Sequence, residues 1–431
     1  MRFSQTIQSI SKPCGIRRVT LFSRTIWRGR SGKEIGSAQN IVQQEHSKDM
    51  KHAHIIGWGH YFPPREISND EISEVVDTNH EWIQTRTGIN SRHIAETETT
   101  TQMAFEAAVR AIAIADISPS EIDLVIVATS TPEHMFPSTA SQVQALLGAD
   151  NAGAFDLSAA CTGFVYGLDM ATQSIRTEAI KTALVIGAET MSRVLDWSDR
   201  GTCILFGDGA GAVIVQGSNI PGGVMASKLR SDGSGGNVLS LPAVYENPVP
   251  FLNGNGPKKG ASQNVIGMEG RQVFRFATTV IPAIIKEVLD QAGMTIDDVA
   301  LIVPHQANTR IIDSAAKKLG ISPDKFFLNL DHAGNTSAAS IPIALCEAIE
   351  AGRVKPNDNV VFVGFGGGLT WAASVVRWDV GPNENPGVAR VRYGFSRYKM
   401  RYRQIYRKVI AQVSGSPTPN ARLKDAQKKK K

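Results

Sequence analysis

Between residues 51 and 380 the apolar and polar positions fall into blocks whose period switches between helix and strand. Residues 101–114 carry small and apolar side chains at helical spacing. They lead through Ser118-Pro119 into the wholly apolar run Leu124-Val125-Ile126-Val127-Ala128. A second helical stretch at 138–147 precedes a short strand at 152–157 and a helix opening near Cys161. A strand at 183–187, a glycine-rich turn at 207–211 and a strand at 212–215 follow. The same order then recurs. A helix over 273–291 places Val280, Ile281, Ile284, Ile285, Val288 and Leu289 at helical spacing, followed by a strand at 301–303 and a helix at 308–319. A strand at 326–329, a helix beginning near Asn335, a strand at 360–363, a glycine-rich turn at 364–368 and a strand at 372–376 complete it. Even the linkers correspond: Ile122-Asp123-Leu124-Val125-Ile126-Val127 sits where Val299-Ala300-Leu301-Ile302-Val303 sits later.

Strands that are apolar throughout and alternate with helices predict sheets covered on both faces. The expected architecture is α/β: two similar halves, 51–220 and 221–380, packed as one unit. Segments 1–49 and 381–431 are expected to be extensions outside it.

Composition and charge adjust this picture at its ends. Cysteine is sparse (Cys14, Cys161, Cys203 and Cys346, with no CxxC pair), which argues against a disulfide scaffold or structural zinc and for a reducing compartment. The apolar stretch Val360–Val376 is broken by four glycines. It falls short of the ~20 residues a spanning helix needs, and a soluble protein without membrane insertion is expected. Residues 1–50 hold nine Lys/Arg against three Asp/Glu, and residues 381–431 hold fourteen against two. The remaining 23 basic and 35 acidic residues give the body a balance of −12, so the basic pI near 9.1 belongs to the two ends. Residues 1–49 contain seven Ser with scattered Arg, a composition that fits an organellar transit peptide. It fits equally a start placed too early, with the domain opening at Met50 before the strand-like run at 54–58. The stretch 381–431 interleaves Arg and Lys with Tyr393, Tyr398, Tyr402 and Tyr406 and ends in four lysines. Such a stretch could meet RNA or an anionic surface, but a solvated extension is favoured over nucleic acid.

Three residues at corresponding ends of the two halves could carry chemistry. Cys161 follows a short strand and opens a helix, where unpaired N–H groups and the positive end of the helix dipole favour thiolate. A buried inert thiol is the plainer reading of a lone cysteine. His305, in Pro304-His305-Gln306-Ala307-Asn308, ends a strand just before a helix, where α/β proteins place ligand sites. Asn335, in Gly334-Asn335-Thr336-Ser337, reads by default as a helix cap, yet it follows its strand much as Cys161 follows the earlier one.

The strings Ala159-Ala160-Cys161-Thr162-Gly163-Phe164, His305-Gln306-Ala307-Asn308, Gly334-Asn335-Thr336-Ser337-Ala338-Ala339 and Phe365-Gly366-Gly367-Gly368 resemble, in order, those of the thiolase-fold β-ketoacyl-[acyl-carrier-protein] synthase III family. The resemblance covers about 51–378. It implies a thiolase-like fold, a five-layer αβαβα body, with a Cys161-His305-Asn335 triad. Elongating synthases carry a second His at the third position and thiolases a second Cys, and Asn335 argues against both. Chalcone-synthase-like enzymes share the triad.

The implied reaction starts with attack of Cys161 on acetyl-coenzyme A. Malonyl-acyl carrier protein then loses carbon dioxide, and its enolate attacks the acyl-cysteine. His305 and Asn335 would donate to the enolate oxygen, and the backbone N–H groups of Cys161 and Gly367 would form the oxyanion hole. No metal or redox cofactor is implied; acetyl-coenzyme A and malonyl-acyl carrier protein are substrates. For coenzyme A the resemblance implicates Trp82 and Arg86 (within the segment Thr78-Asn79-His80-Glu81-Trp82-Ile83-Gln84-Thr85-Arg86), together with Arg200 and Asn308. His80 stands where many members carry an acid, and Thr162 where alanine is common. For an acidic carrier protein it implicates Gln306, Ala307, Asn308, Thr309 and Arg310, then Lys317 and Lys318 along the helix. It further implies a homodimer in which Phe136 reaches into the partner's acyl pocket and limits primer length. A cytoplasmic protein is expected, or a plastid or mitochondrial one if 1–49 is a transit peptide.

Rival readings are weaker. Gly207-Asp208-Gly209-Ala210-Gly211 leads into a strand, the opposite of what a dinucleotide fingerprint needs. A cysteine hydrolase leaves Gly366-Gly367-Gly368 and the basic helix unexplained. A thiolase-fold relative priming a polyketide or other specialised acyl product is the nearest alternative.

Overall fold

The computed structural model describes residues 51–242 and 265–379. The transit-like segment 1–49 and the basic stretch 381–431 lie outside the described residues.

The first sheet is built from β1 (His52–Tyr61), β4 (Leu124–Ala128), β5 (Gly153–Leu157), β6 (Thr182–Thr190) and β7 (Asp208–Ser218), in the order β1-β7-β6-β4-β5. Here β4 runs parallel to both β5 and β6, while β7 is antiparallel to β6 and β1. The second sheet has the order β11-β12-β13-β8, from β8 (Gly223–Ser231), β11 (Leu301–Pro304), β12 (Asn359–Gly366) and β13 (Thr370–Arg377). Only its β11–β12 pair is parallel. Two short ribbons, β2 (Arg65–Ser68) with β3 (Ser91–Ile94) and β9 (Leu239–Ser240) with β10 (Gly267–Met268), stand apart from the sheets.

The helices supply the other three layers. α3 (Thr100–Ala115) and α4 (Thr139–Leu147) cover the outer face of the first sheet. α6 (Gly270–Ala292) and α7 (Thr309–Leu319) cover the outer face of the second. Between the sheets lie α5 (Gly163–Arg176) and α9 (Ser340–Glu350), where Phe164, Leu168, Ile341 and Leu345 pack with Val185, Val213 and Phe362. The result is the five-layer αβαβα thiolase-like body. β6 is buried from end to end because helices cover both its faces, which is why it shows no polar alternation.

Several element boundaries follow from local chemistry. The Thr99 hydroxyl accepts from the Gln102 N–H, and the Gln102 side chain reaches back to Thr99, a capping box that starts α3. Asn308 caps α7, and Gly293, at φ 68°, ends α6.

Four expectations are corrected. The predicted strand 326–329 reduces to one bridge, Phe326 to Ile302, before the short helix α8 (Leu330–Ala333). The Gln306 side chain takes the place of a ladder: its amide donates to the Phe327 carbonyl at 3.0 Å, and its oxygen accepts from the Asn329 N–H at 3.2 Å. Residues 208–211, predicted as turn, belong to β7. Gly211 is there for close packing, since a Cβ would come within 2.7 Å of the Ile343 nitrogen in α9. Gly364 and Gly366 likewise end β12. Finally, the helices expected at Cys161 and Asn335 begin later. Each is preceded by a 3-10 turn, Ala160–Thr162 before α5 and Ser337–Ala339 before α9. Strand β8 showed no sequence signal that we recognised.

Candidate active site

The two 3-10 turns face each other between the sheets, and Cys161 on the first, Asn335 just before the second and His305 at the end of β11 meet in one cavity of about 1010 Å³. Cys161, His305 and Asn335 all line it, and each is at least nine-tenths buried. Cys161 reaches the Ser337 hydroxyl across the interface, Sγ to Oγ 3.6 Å. His305 leaves β11 with its N–H bonded to the Val363 carbonyl at 2.8 Å and its ring edge-on to Phe365. Its Nδ1 lies 2.7 Å from Ser340 Oγ, which in turn lies 2.9 Å from the Ser337 carbonyl. Asn335 is pinned through its backbone to Leu205 and Gly207. Its side-chain oxygen accepts from the Ser337 N–H at 2.9 Å. Because that N–H can only donate, the facing atom must be oxygen, and the amide NH2 is the donor end left for the cavity.

Electrostatics correct the expectation for Cys161. Burial pushes the thiol up to about 12, and the Glu189 carboxylate adds to this against the Ser337 hydrogen bond. Desolvation is the largest of these influences and favours the thiol over the thiolate. The same burial holds His305 neutral, down to about 3. Buried Glu189, at the end of β6, carries a carboxyl raised by desolvation.

The glycine segment closes the cavity over Cys161. Gly366 makes the tightest approach: a Cβ there would stand 2.9 Å from the Cys161 nitrogen and 3.0 Å from its Cβ. Gly367 lines the cavity next to it, with the Leu239 carbonyl 3.0 Å from where its own Cβ would be. Both positions require glycine for close approach.

Trp82, Arg86, Arg200 and Asn308 line the outer part of the same cavity. Trp82 lies in α2 (His80–Thr87), which follows the short α1 (Asn69–Ser73), with the Arg86 and Arg200 guanidinium carbons 5.1 and 5.0 Å from its ring centre. Arg200 also donates to the Asp77 carbonyl. Asn308 also serves the scaffold: one amide hydrogen goes to the Arg86 carbonyl at 2.9 Å and its oxygen caps α7, which leaves the second amide hydrogen on the cavity side.

The helix expected to meet a carrier protein divides. Arg310 and Lys317 are exposed, with Arg310 set over the Phe274 ring. Lys318 is exposed too, but its ammonium donates to the Thr278 carbonyl. Ala307 and Thr309 are half-buried. Gln306 is corrected: it is 1% exposed and its amide and oxygen are all bonded internally, so it cannot touch a macromolecule. Phe136 is 88% exposed and does not line its own chain's cavity.

Sequence reasoning missed Glu189, Ser337, Ser340 and Gly366. The last three lay inside or beside the quoted strings. Glu189 had a faint signal, an acid directly following the apolar run 183–188.

Among the described residues no group of three or more His, Cys, Asp or Glu gathers as a metal ion would need, and no helix is long and apolar enough to cross a membrane.

A five-layer α/β body with Cys, His and Asn converging between its sheets defines a thiolase-fold condensing enzyme. Comparison with known proteins narrows this. Residues 155–233 match the family model for 3-oxoacyl-[acyl-carrier-protein (ACP)] synthase III, and residues 289–378 match the model for its C-terminal part. A β-ketoacyl-[acyl-carrier-protein] synthase III of Clostridium acetobutylicum is 49% identical over 329 residues, 76% of this chain and 99% of that one. The crystal structure of 3-oxoacyl-[acyl-carrier-protein] synthase III from Aquifex aeolicus superposes with a TM-score of 0.70 at 46% identity, covering 76% of this chain and all of that one. The priming β-ketosynthase of the R1128 polyketide pathway superposes at 0.71 with 37% identity, covering 77% and 98%. The chain belongs to the β-ketoacyl-[acyl-carrier-protein] synthase III family and is an acyltransferase of the condensing type.

Proposed function

We propose that the chain condenses a short acyl-coenzyme A, acetyl-coenzyme A first among them, with malonyl-acyl carrier protein. The products are 3-oxoacyl-acyl carrier protein, carbon dioxide and coenzyme A, the step that starts fatty acid synthesis. The observation that carries this reading is the single cavity that joins Cys161, His305 and Asn335 to the Trp82–Arg86–Arg200 rim. A coenzyme A thioester fits that arrangement, with its adenine and phosphates on the aromatic and cationic rim and its acyl group at the thiol.

Cys161 is the nucleophile. Its N–H and that of Gly367 stabilise the oxyanion of acyl transfer. After acylation, malonyl-acyl carrier protein docks against the Arg310–Lys317 face of α7 and loses carbon dioxide. His305 Nε2–H and the Asn335 NH2 donate to the thioester oxygen as the enolate forms. The Ser340 hydroxyl donates to the Ser337 carbonyl at 2.9 Å; for Nε2 to carry the proton it must turn that hydrogen to Nδ1, 2.7 Å away, so the tautomer depends on Ser340. Neutral donors suit a substrate carboxylate that departs as carbon dioxide. No group beyond these side chains and the two substrates is needed. The working form is a homodimer with Phe136 entering the partner's acyl pocket, and the compartment is the cytoplasm.

The likeness to the R1128 priming ketosynthase favours one second reading, priming of a polyketide from a different acyl group. Mass spectrometry of the intact protein after incubation with acetyl-, isobutyryl- or octanoyl-coenzyme A, with Cys161→Ser as control, separates the two. A Cys161-dependent acetyl adduct supports the fatty acid reading, and exclusive loading of a longer or branched chain supports the alternative. No adduct with any donor rejects both. His305→Ala and Asn335→Ala should still self-acylate partly while losing malonyl decarboxylation. Equal loss of both half-reactions would contradict the division of roles.

A further inference from the structure

We propose that Glu189, acting through the Ser337 hydroxyl, takes the Cys161 thiol proton when the acyl group is loaded and returns it when the acyl group leaves. The inference rests on Cys161 being the nucleophile. It answers a question the triad leaves open, namely where the proton of a buried thiol goes.

The three groups form a line with a defined direction. Cys161 Sγ lies 3.6 Å from Ser337 Oγ, and Ser337 Oγ lies 3.0 Å from Glu189 Oε1. A carboxylate only accepts, so the Ser337 proton points to Glu189 and the Oγ lone pair faces the thiol. The thiol proton therefore occupies the first contact and the hydroxyl proton the second. Glu189 is fully buried, and none of the ion pairs among the described residues includes it. Neutral donors hold it instead: the Thr131 hydroxyl at 2.6 Å, the Thr129 hydroxyl at 3.2 Å and the Ser130 N–H at 3.0 and 3.1 Å from its two oxygens. Burying a carboxylate with no cation is unfavourable for folding, and such a group beside a cavity is a candidate for a functional role.

The backbone around Ser337 is built to hold this line. Ser337 adopts φ 49°, which a side-chain-bearing residue rarely does. Its turn lies directly on β6 because position 187 is glycine; a Cβ there would come within 2.1 Å of the Ala338 carbonyl oxygen. That contact sets Ser337 beside Glu189, two residues along the same strand.

Charge balance favours this acceptor over His305, the other titratable group at the cavity floor. Passing the proton from Cys161 through Ser337 to Glu189 moves one negative charge from oxygen to sulfur and leaves the net charge of the site unchanged. Passing it to His305 would separate two opposite charges on buried groups, against the burial that already holds that ring neutral. During loading the Sγ–carbonyl bond forms, coenzyme A departs as its thiolate, and Glu189 ends as the acid. During condensation the enolate attacks, the Sγ–acyl bond breaks, and sulfur takes the proton back through Ser337. Ser337 touches the reacting sulfur, while Glu189 acts through it.

The test measures Cys161 acylation by acetyl-coenzyme A in Glu189→Gln and in Ser337→Gly, the latter comfortable at a positive φ. Each should acylate about 100-fold more slowly at pH 7 with its melting temperature kept, within the range for one acid–base contribution. Each should also recover about tenfold per pH unit as hydroxide takes over the proton. In mixed light and heavy water the unmodified enzyme should show a curved proton inventory, two protons moving together. A variant acylating within twofold of the unmodified enzyme, or a loss without alkaline recovery, overturns the relay. If neither variant folds, the inventory decides alone, and a linear one overturns it. Failure of the unmodified enzyme to gain a Cys161-dependent adduct is a different result, which removes the nucleophile and the relay with it.

Discussion

Gly366→Ala adds a single methyl group at the tightest contact around Cys161, the proposed nucleophile. Its Cβ would stand 2.9 Å from the Cys161 nitrogen and 3.0 Å from the Cys161 Cβ. Ordinary carbon contacts begin near 3.5 Å, so the two chains must part by about 0.5 Å. β12 cannot retreat easily, because it is hydrogen-bonded to β11 on one side and to β13 on the other, with residue 366 itself paired to Thr370. The movement therefore falls on the 3-10 turn that carries Cys161. A 1 Å misplacement of a reacting group costs about 100-fold in rate, so half that distance predicts about tenfold slower acylation. Overpacking adds a stability loss of about 1–3 kcal/mol. The assay is the time course of the acyl adduct by mass spectrometry, with thermal unfolding alongside. Gly233→Ala is the control, since a Cβ there meets nothing within 4 Å, and it should change neither quantity. Wild-type acylation and melting in Gly366→Ala would show that the turn is not held by this contact.

Other consequences can be read at the bench. Trp82→Ala removes the ring that two guanidinium groups flank and should raise KM for acyl-coenzyme A about tenfold with little change in kcat; a fall in kcat alone would place Trp82 elsewhere in the reaction. His305 is neutral in the folded chain down to about 3, whereas an unfolded histidine takes up its proton near 6.5. Folding stability from this residue is therefore full above pH 6.5 and lost as pH falls, by about 1.4 kcal/mol per unit. Denaturant titrations at pH 7 and 4.5 should show the unmodified protein losing roughly 2–3 kcal/mol more than His305→Gln over that interval, and equal losses would mean that the ring is hydrated. Lys317→Glu should raise KM for malonyl-acyl carrier protein several-fold at low salt, an effect that fades as salt is added. A KM equal to the unmodified enzyme's at every ionic strength would remove Lys317 from the docking face.

Local signals were legible wherever one period dominated. The run 124–128 is β4 residue for residue, and the helical spacing at 138–147 and 273–291 matches α4 and α6 to within three residues at each end. Where a side chain replaces the backbone's usual partner, the pattern misleads. Phe326-Phe327-Leu328 looks like a strand, yet the Gln306 side chain, some 20 positions earlier, takes the hydrogen bonds a neighbouring strand would have made. Glycines mislead similarly: Gly209 and Gly211 suggest a turn, but they lie within β7, packed against α9.

The sequence by itself singled out the candidate residues and roughly where along the chain they fall, because Cys161, His305 and Asn335 sit in short strings whose chemistry and order are local properties. It also determined the alternation of strand and helix, since periodicity records which face of each element is buried. The protonation state of that chemistry was decided by the tertiary structure alone. Cys161 stands at a turn whose dipole favours thiolate, but burial between two sheets holds it as a thiol. Its hydrogen-bonded partner Ser337 comes from 176 residues away, and the carboxylate behind that serine from a different strand again. Desolvation and hydrogen bonding depend on the atoms that surround a group in space, and elements distant in the chain supply those atoms only once the two sheets have packed.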